Sequence, residues 1–212
     1  MILLRLIGVY VFLALAACPA WAREPVVLAF GDSLTAGYGL EPANAFPAQL
    51  EAALRRLGMP ATVVNGGVSG DTSTGGRARL PWLLDGAAGM KPDLVIVELG
   101  ANDALRGIDP AVTRNNLDWI IRTLRQRHIA VILAGMMAPP NLGSDYGAAF
   151  NGLYPALAKK HSVAFYGFFL DGVAANPAYL QEDGMHPNEK GAARIAARLA
   201  PLVARELKRG RR

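Results

Sequence analysis

The chain has 212 residues, 52% of them hydrophobic and 18% charged, with a formal net charge of +5. This length suits one domain with a sizeable core, and the hydrophobicity is too high and the charge too low for a disordered tail. One cysteine excludes an intramolecular disulfide, and there is no Gly-X-Y period; the positive balance raises nucleic acid or an anionic membrane as a partner until the charges are located.

Residues 1–22 hold one charged side chain, Arg5, then the apolar run Leu6 to Ala17 and the small-residue pattern Ala20-Trp21-Ala22. A basic start, an apolar stretch too short to span a bilayer and an A-x-A end predict a cleaved secretory signal, and with it a periplasmic or secreted protein. Cys18 follows Leu15-Ala16-Ala17, which resembles the lipobox of bacterial lipoproteins, so a lipid anchor at Cys18 is the alternative. Cleavage after Ala22 is favoured, because the few residues from Cys18 to Pro25 reach roughly 20 Å at most.

Without residues 1–22 there are 21 basic and 17 acidic residues, and the stretch 205–212 holds five of the basic and one of the acidic. The body, 23–204, is neutral, with 16 of each. A nucleic-acid groove is therefore not indicated, and residues 205–212 read as a basic tail capable of weak contact with an anionic surface.

Five short apolar runs predict strands at Val26–Phe30, Ala61–Val64, Leu94–Leu99, Ala130–Ala134 and Val163–Tyr166. Nearly continuous apolar runs are the pattern of strands covered on both faces. Helical stripes lie between them: Phe46, Leu50, Leu54 and Leu57; Leu117, Ile120, Ile121 and Leu124; Phe150, Leu153, Tyr154 and Leu157, with Pro155 expected to kink or interrupt the third; and Ile195, Leu199, Leu202 and Val203. Alternation of strand and helix predicts a three-layer α/β/α sandwich around a parallel sheet, in the order 2-1-3-4-5. Ligands bind such sheets beyond the carboxyl ends of the strands.

The loops there carry the chemistry. Gly31-Asp32-Ser33-Leu34 follows the first strand; alone it is an ordinary turn, yet it exposes a serine where a nucleophile is needed. Asn65-Gly66-Gly67-Val68-Ser69-Gly70-Asp71-Thr72 follows the second; its glycine spacing is one residue short of a dinucleotide fingerprint. Gly100-Ala101-Asn102-Asp103 follows the third and offers a side-chain amide. Downstream, Asp183-Gly184-Met185-His186-Pro187-Asn188 places a carboxylate three residues before a histidine whose backbone the proline restricts to extended angles. Asp183 is thus positioned to accept the Nδ1 proton of His186 and leave Nε2 as a base, while Asn188 caps the last helix. His128 and His161 are isolated and read as structural, and no metal-ligand cluster or cofactor motif is present.

In their joint order these blocks resemble the bacterial SGNH, or GDSL, hydrolase superfamily, whose four blocks supply Ser, Gly, Asn and His. Glu98 to Gly107 resembles its secreted branch of acyl thioesterases, lysophospholipases and arylesterases. The resemblance implies ester and thioester hydrolysis through an acyl-serine, with Ser33, His186 and Asp183 catalytic and Ser33, Gly70 and Asn102 forming the oxyanion hole, without a cofactor. Leu105, Ile108, Met137 and Pro139 are candidates for holding an acyl chain, within a wider apolar set that includes Met136, Leu142, Phe168, Phe169 and Leu170. The expected partner is a small-molecule or lipid acyl ester, and the protein is expected to be a monomer. A carbohydrate acetylesterase of the same superfamily and a non-catalytic surface binding protein are the rival readings.

Overall fold

The computed structural model describes residues 23–85 and 91–210. The predicted signal, Cys18 and the last two arginines lie outside the described residues. Strands β1 (Val26–Gly31), β2 (Thr62–Gly67), β3 (Leu94–Glu98), β4 (Ala130–Ala134) and β5 (Ala164–Tyr166) form one sheet in the order β2-β1-β3-β4-β5, parallel throughout. The helices are α1 (Ser33–Ala36), α2 (Phe46–Arg56), α3 (Ser73–Asp85), α4 (Ala101–Leu105), α5 (Pro110–Gln126), α6 (Ser144–His161) and α7 (Glu189–Gly210). Helices α2 and α7 pack together on one face of the sheet, and α3, α5 and α6 pack side by side on the other, which makes the predicted three layers.

Central strands β1 and β3 are buried on both faces, as their continuous apolar sequences require, whereas β2 at the edge is half exposed. The helices begin where capping chemistry permits. Asp109 accepts the Ala111 N–H at the start of α5, with Pro110 as the first helical residue, and Asn188 accepts the Gly191 N–H at the start of α7.

Two expectations change. Pro155 does not interrupt α6, which runs unbroken to His161; Pro81 and Pro201 likewise sit inside α3 and α7. All three prolines face solvent. There the carbonyl deprived of its N–H partner can turn to water, while the buried face, Phe150, Leu153, Tyr154 and Leu157 in α6, holds both halves of the helix against the core. The basic stretch also does not begin after a domain end. Arg205, Lys208 and Arg209 belong to the last turns of α7, where Leu207 is buried and Glu206 pairs with Arg205 and Arg209.

The chain between β5 and α7 must return from the far edge of the sheet to β1, and it is well anchored. The Phe169 N–H donates to the Gly135 carbonyl at 2.8 Å. The Phe169 side chain is fully buried, edge-on to Phe46 at 5.0 Å between ring centroids. Val173 and Leu180 are buried further along, and an antiparallel bridge joins Leu180 to Pro187. Phe169→Ala should therefore destabilise the fold by about 3–5 kcal/mol, read as a lowered midpoint in urea denaturation followed by circular dichroism; an unchanged midpoint would mean that Phe169 does not anchor this segment.

Candidate active site

At the end of β1 the chain turns sharply into the single turn of α1. Asp32, fully buried, caps that turn by accepting the Leu34 N–H at 2.9 Å, and Gly37 closes it in the left-handed conformation. Ser33 is thereby presented above the sheet at the tip of the turn. His186 arrives from the loop before α7, with Nε2 2.9 Å from the Ser33 Oγ and Nδ1 2.6 Å from the Asp183 Oδ2. The other Asp183 oxygen accepts the backbone N–H groups of Met185 and His186. Hydrogen bonds from the His186 side chain first, and then from these two amides, hold the Asp183 carboxyl down to about 2. Asp183 thus stays a carboxylate, fixes the proton on Nδ1 and leaves Nε2 to accept from Ser33.

Two further contacts tie the serine and histidine loops together. The Tyr38 ring lies against the imidazole, 4.6 Å between centroids. Gln181 donates to the carbonyls of Tyr38 and Pro187, at 2.7 and 3.0 Å.

The loops after β2 and β3 meet at Asn102. Its Nδ2 donates to the Asp32 Oδ2 at 3.2 Å and to the Asp71 carbonyl at 3.0 Å, which sets the amide between the serine turn and the Gly70 turn. Gly70 has φ +80°, a conformation that a side chain would strain, and its carbonyl accepts from Arg106 at 2.8 Å. Asp71 is paired with Arg79 at 2.6 Å, and the same guanidinium donates to the Gly31 carbonyl and lies over the Phe30 ring. Behind Asn102, buried Asp103 accepts from the Ser73 N–H and Oγ and from Thr113, which locks the start of α3 and of α5 to α4. Asp32, Asp103 and Thr113 are buried polar groups with their partners present, and these bonds tie the three loops to one another.

An apolar cavity of about 320 Å³ opens beside Ser33, His186 and Asn102. Leu105, Met137 and Pro139 line it, together with Leu34, Met136, Leu170, Leu180 and Met185. Ile108 does not. Half-buried one turn beyond α4, it offers its carbonyl to the Tyr146 hydroxyl instead. Leu142, Phe168 and Phe169 also lie off the cavity, Phe169 in the core. A second cavity, of about 430 Å³, lies at the opposite end of the strands. Arg127 pairs with Asp85 and Arg23 with Asp93 at its rim, and among the described residues no serine, threonine or cysteine lines it.

His161 is bound to Asp118 and His128 sits in an exposed turn, both away from Ser33. Tyr38, Gln181, Arg79 and Glu98 also belong to the site, although no motif marks them. Only Glu98 carried a signal, a carboxyl inside an otherwise apolar strand run.

The chain is similar to known proteins over most of its length. Residues 29–194 match the model of the GDSL-like lipase/acylhydrolase family. An arylesterase of Vibrio mimicus is 38% identical over 205 residues, 97% of this chain and all of that protein. The thioesterase 1/protease 1/lysophospholipase L1 of Escherichia coli K12 is 38% identical over 198 residues, 92% of each chain. The crystal structure of AlinE4, an SGNH-hydrolase family esterase, is 46% identical with a TM-score of 0.74, covering 87% of this chain and 97% of that one. With a family match across most of the domain and relatives aligned nearly end to end, the chain belongs to the GDSL-like lipase/acylhydrolase family.

Proposed function

We propose that the protein is a serine esterase that hydrolyses carboxylic ester and thioester bonds of acyl substrates through an acyl-serine intermediate. The observation that carries this reading is the unbroken chain from Ser33 Oγ to His186 Nε2 and from Nδ1 to Asp183, set against an apolar cavity. Ser33 Oγ attacks the acyl carbon as Nε2 takes its proton; the C–O or C–S bond then breaks and Nε2 delivers the proton to the departing oxygen or sulfur. Water repeats the sequence on the acyl-serine and releases the acid.

Negative charge on the carbonyl oxygen is met by the N–H groups of Ser33 and Gly70 and the Asn102 amide. Neither backbone amide donates to an acceptor among the described residues, so both are available. The acyl chain lies along Leu105, Met136 and Met137, a larger apolar surface than an acetyl group needs, which favours longer acyl groups over acetylated carbohydrate. The names of the relatives point to aryl esters, acyl thioesters and lysophospholipids as the substrates to try. The composition of residues 1–22 supports export to the periplasm or beyond.

Assay of purified protein on aryl esters of graded chain length, acyl-CoA and lysophospholipid should show hydrolysis that extends past acetyl and is lost in Ser33→Ala. Full activity in that variant would remove Ser33 from the mechanism, and acetyl-only activity would favour the carbohydrate esterase. Asn102→Ala should lower kcat by about 10²–10³-fold with much less effect on KM; steady-state kinetics with unchanged kcat would exclude the amide from the oxyanion hole.

A further inference from the structure

Beneath the serine turn lies a second carboxyl group for which the hydrolytic steps have no use. Glu98 ends β3 directly opposite Gly31, the last residue of β1, and is 1% exposed. Its side chain folds over that glycine: a Cβ at position 31 would stand 2.5 Å from the Glu98 Oε2, so only glycine admits the carboxyl there. Oε2 accepts from the Thr35 hydroxyl at 2.8 Å. Oε1 is buried with no donor, an expensive state for a carboxylate oxygen.

The neighbour of this carboxyl is Asp32, fully buried, whose backbone N–H donates to Oε2 at 3.4 Å. Two buried carboxyl groups side by side do not both ionise. Asp32 already accepts on both oxygens, from the Leu34 N–H and from Asn102, whereas Glu98 Oε1 receives nothing. We propose that Glu98 and Asp32 share one proton, carried on Glu98 and donated to the Asp32 carboxylate, and that this pair is the positioning element that aims the Asn102 amide.

The surroundings support that placement of the proton. Arg79 of α3 is paired with Asp71; Asp103 of α4 is held by Ser73 and Thr113; Tyr154 of α6 donates its hydroxyl to the Leu99 carbonyl; His186 is bonded to Ser33 and Asp183. Among the described residues no cation forms a salt bridge with either member of the pair. Burial first, and then the adjacent Asp32 charge, push the Glu98 carboxyl well above its usual range, while burial brings Asp32 up to about 6.

The arrangement has a catalytic consequence. Both N–H bonds of Asn102 are engaged in this structure, one by Asp32 and one by Asp71. An oxyanion must take one of them over. A proton donated to Asp32 weakens that carboxylate as an acceptor, so Asn102 is aimed by Asp32 without being held too tightly to turn to the oxyanion.

This inference rests on the proposed hydrolysis, and the experiment separates the two. Wild type, Glu98→Gln, Glu98→Leu and Ser33→Ala are compared in ester hydrolysis, in infrared spectra at neutral pH and in thermal unfolding from acid to alkaline pH. The glutamine amide reproduces the protonated acid, donating to Asp32 and accepting from Thr35. Glu98→Gln should therefore keep kcat within about fivefold of wild type, the worth of one neutral hydrogen bond. Glu98→Leu should lose about 10²-fold in kcat with KM within about threefold.

The wild-type infrared spectrum should contain a protonated carboxylic acid band that Glu98→Gln lacks. The fold binds this proton above the ordinary carboxylate range and unfolding releases it, so wild-type Tm should fall relative to Glu98→Gln as pH rises above 4.5. Absence of the band, a glutamine variant as slow as the leucine variant, or a leucine variant as fast as wild type each overturns the proposal. If Glu98→Leu does not fold, the band and the pH dependence of Tm in wild type and Glu98→Gln decide. Activity retained in Ser33→Ala sinks the hydrolytic reading instead and leaves these two measurements of the shared proton standing.

Discussion

Strand β1 is hydrogen-bonded in parallel register to β2 on one side and to β3 on the other, so that Gly31 lies level with Gly67 and Glu98. Three chain segments therefore leave the sheet at one height, side by side, and turn over the same edge. Ser33 follows the first strand, Gly70 the second and Asn102 the third. Parallel strands cannot be joined by tight hairpins, and their helical crossovers bury both faces of the sheet. The carboxyl edge is then the place where polar side chains can gather above an apolar floor, and the Ser33, Gly70 and Asn102 turns hang on that alignment.

Holding the three turns in place falls to buried polar groups rather than to apolar packing. Asp32 accepts the Leu34 N–H of its own turn and the Asn102 amide of another loop, Asp103 accepts the Ser73 N–H, and Asp71 pairs with Arg79, which carries the link back to the Gly31 carbonyl. Such contacts are directional and costly to leave unmade, so they define positions to within a fraction of an ångström where a greasy contact would slide. The fourth contributor, His186, comes from further away. Its loop is fastened by Phe169 in the core, by Gln181 across to the Tyr38 carbonyl and by Asn188 at the head of α7. The imidazole is consequently oriented at both nitrogens by the chain's own side chains.

Charge is distributed by burial in the same way. Asp183, near solvent and surrounded by donors, stays ionised; Glu98, buried with a carboxylate for a neighbour, is pushed towards the neutral acid. Two carboxyl groups of ordinary intrinsic acidity thus stand in opposite states, one bound to His186 and one beneath the serine turn. The basic residues of 205–209 are remote from this arrangement, on the last turns of α7 at the other end of the strands.

Much of this was legible in the amino-acid sequence. Continuous apolar runs separated by amphipathic helices determined the five parallel strands and their order, because such runs are stable only when covered on both faces. Ser33, Asp183 and His186 stood out because turn residues at strand ends, and a proline after the histidine, restrict the backbone locally. Ile108, Pro155 and Glu98 show where that reasoning stops. Whether Ile108 faces a cavity, whether a proline in a helix lies on the solvent side, and whether a glutamate in a strand meets a cation or another carboxylate all depend on residues tens of positions away. Local pattern determined which elements form and which groups carry the chemistry; tertiary packing alone decided their protonation, their partners and the shape of the cavity, since desolvation and contact are properties of neighbours in space.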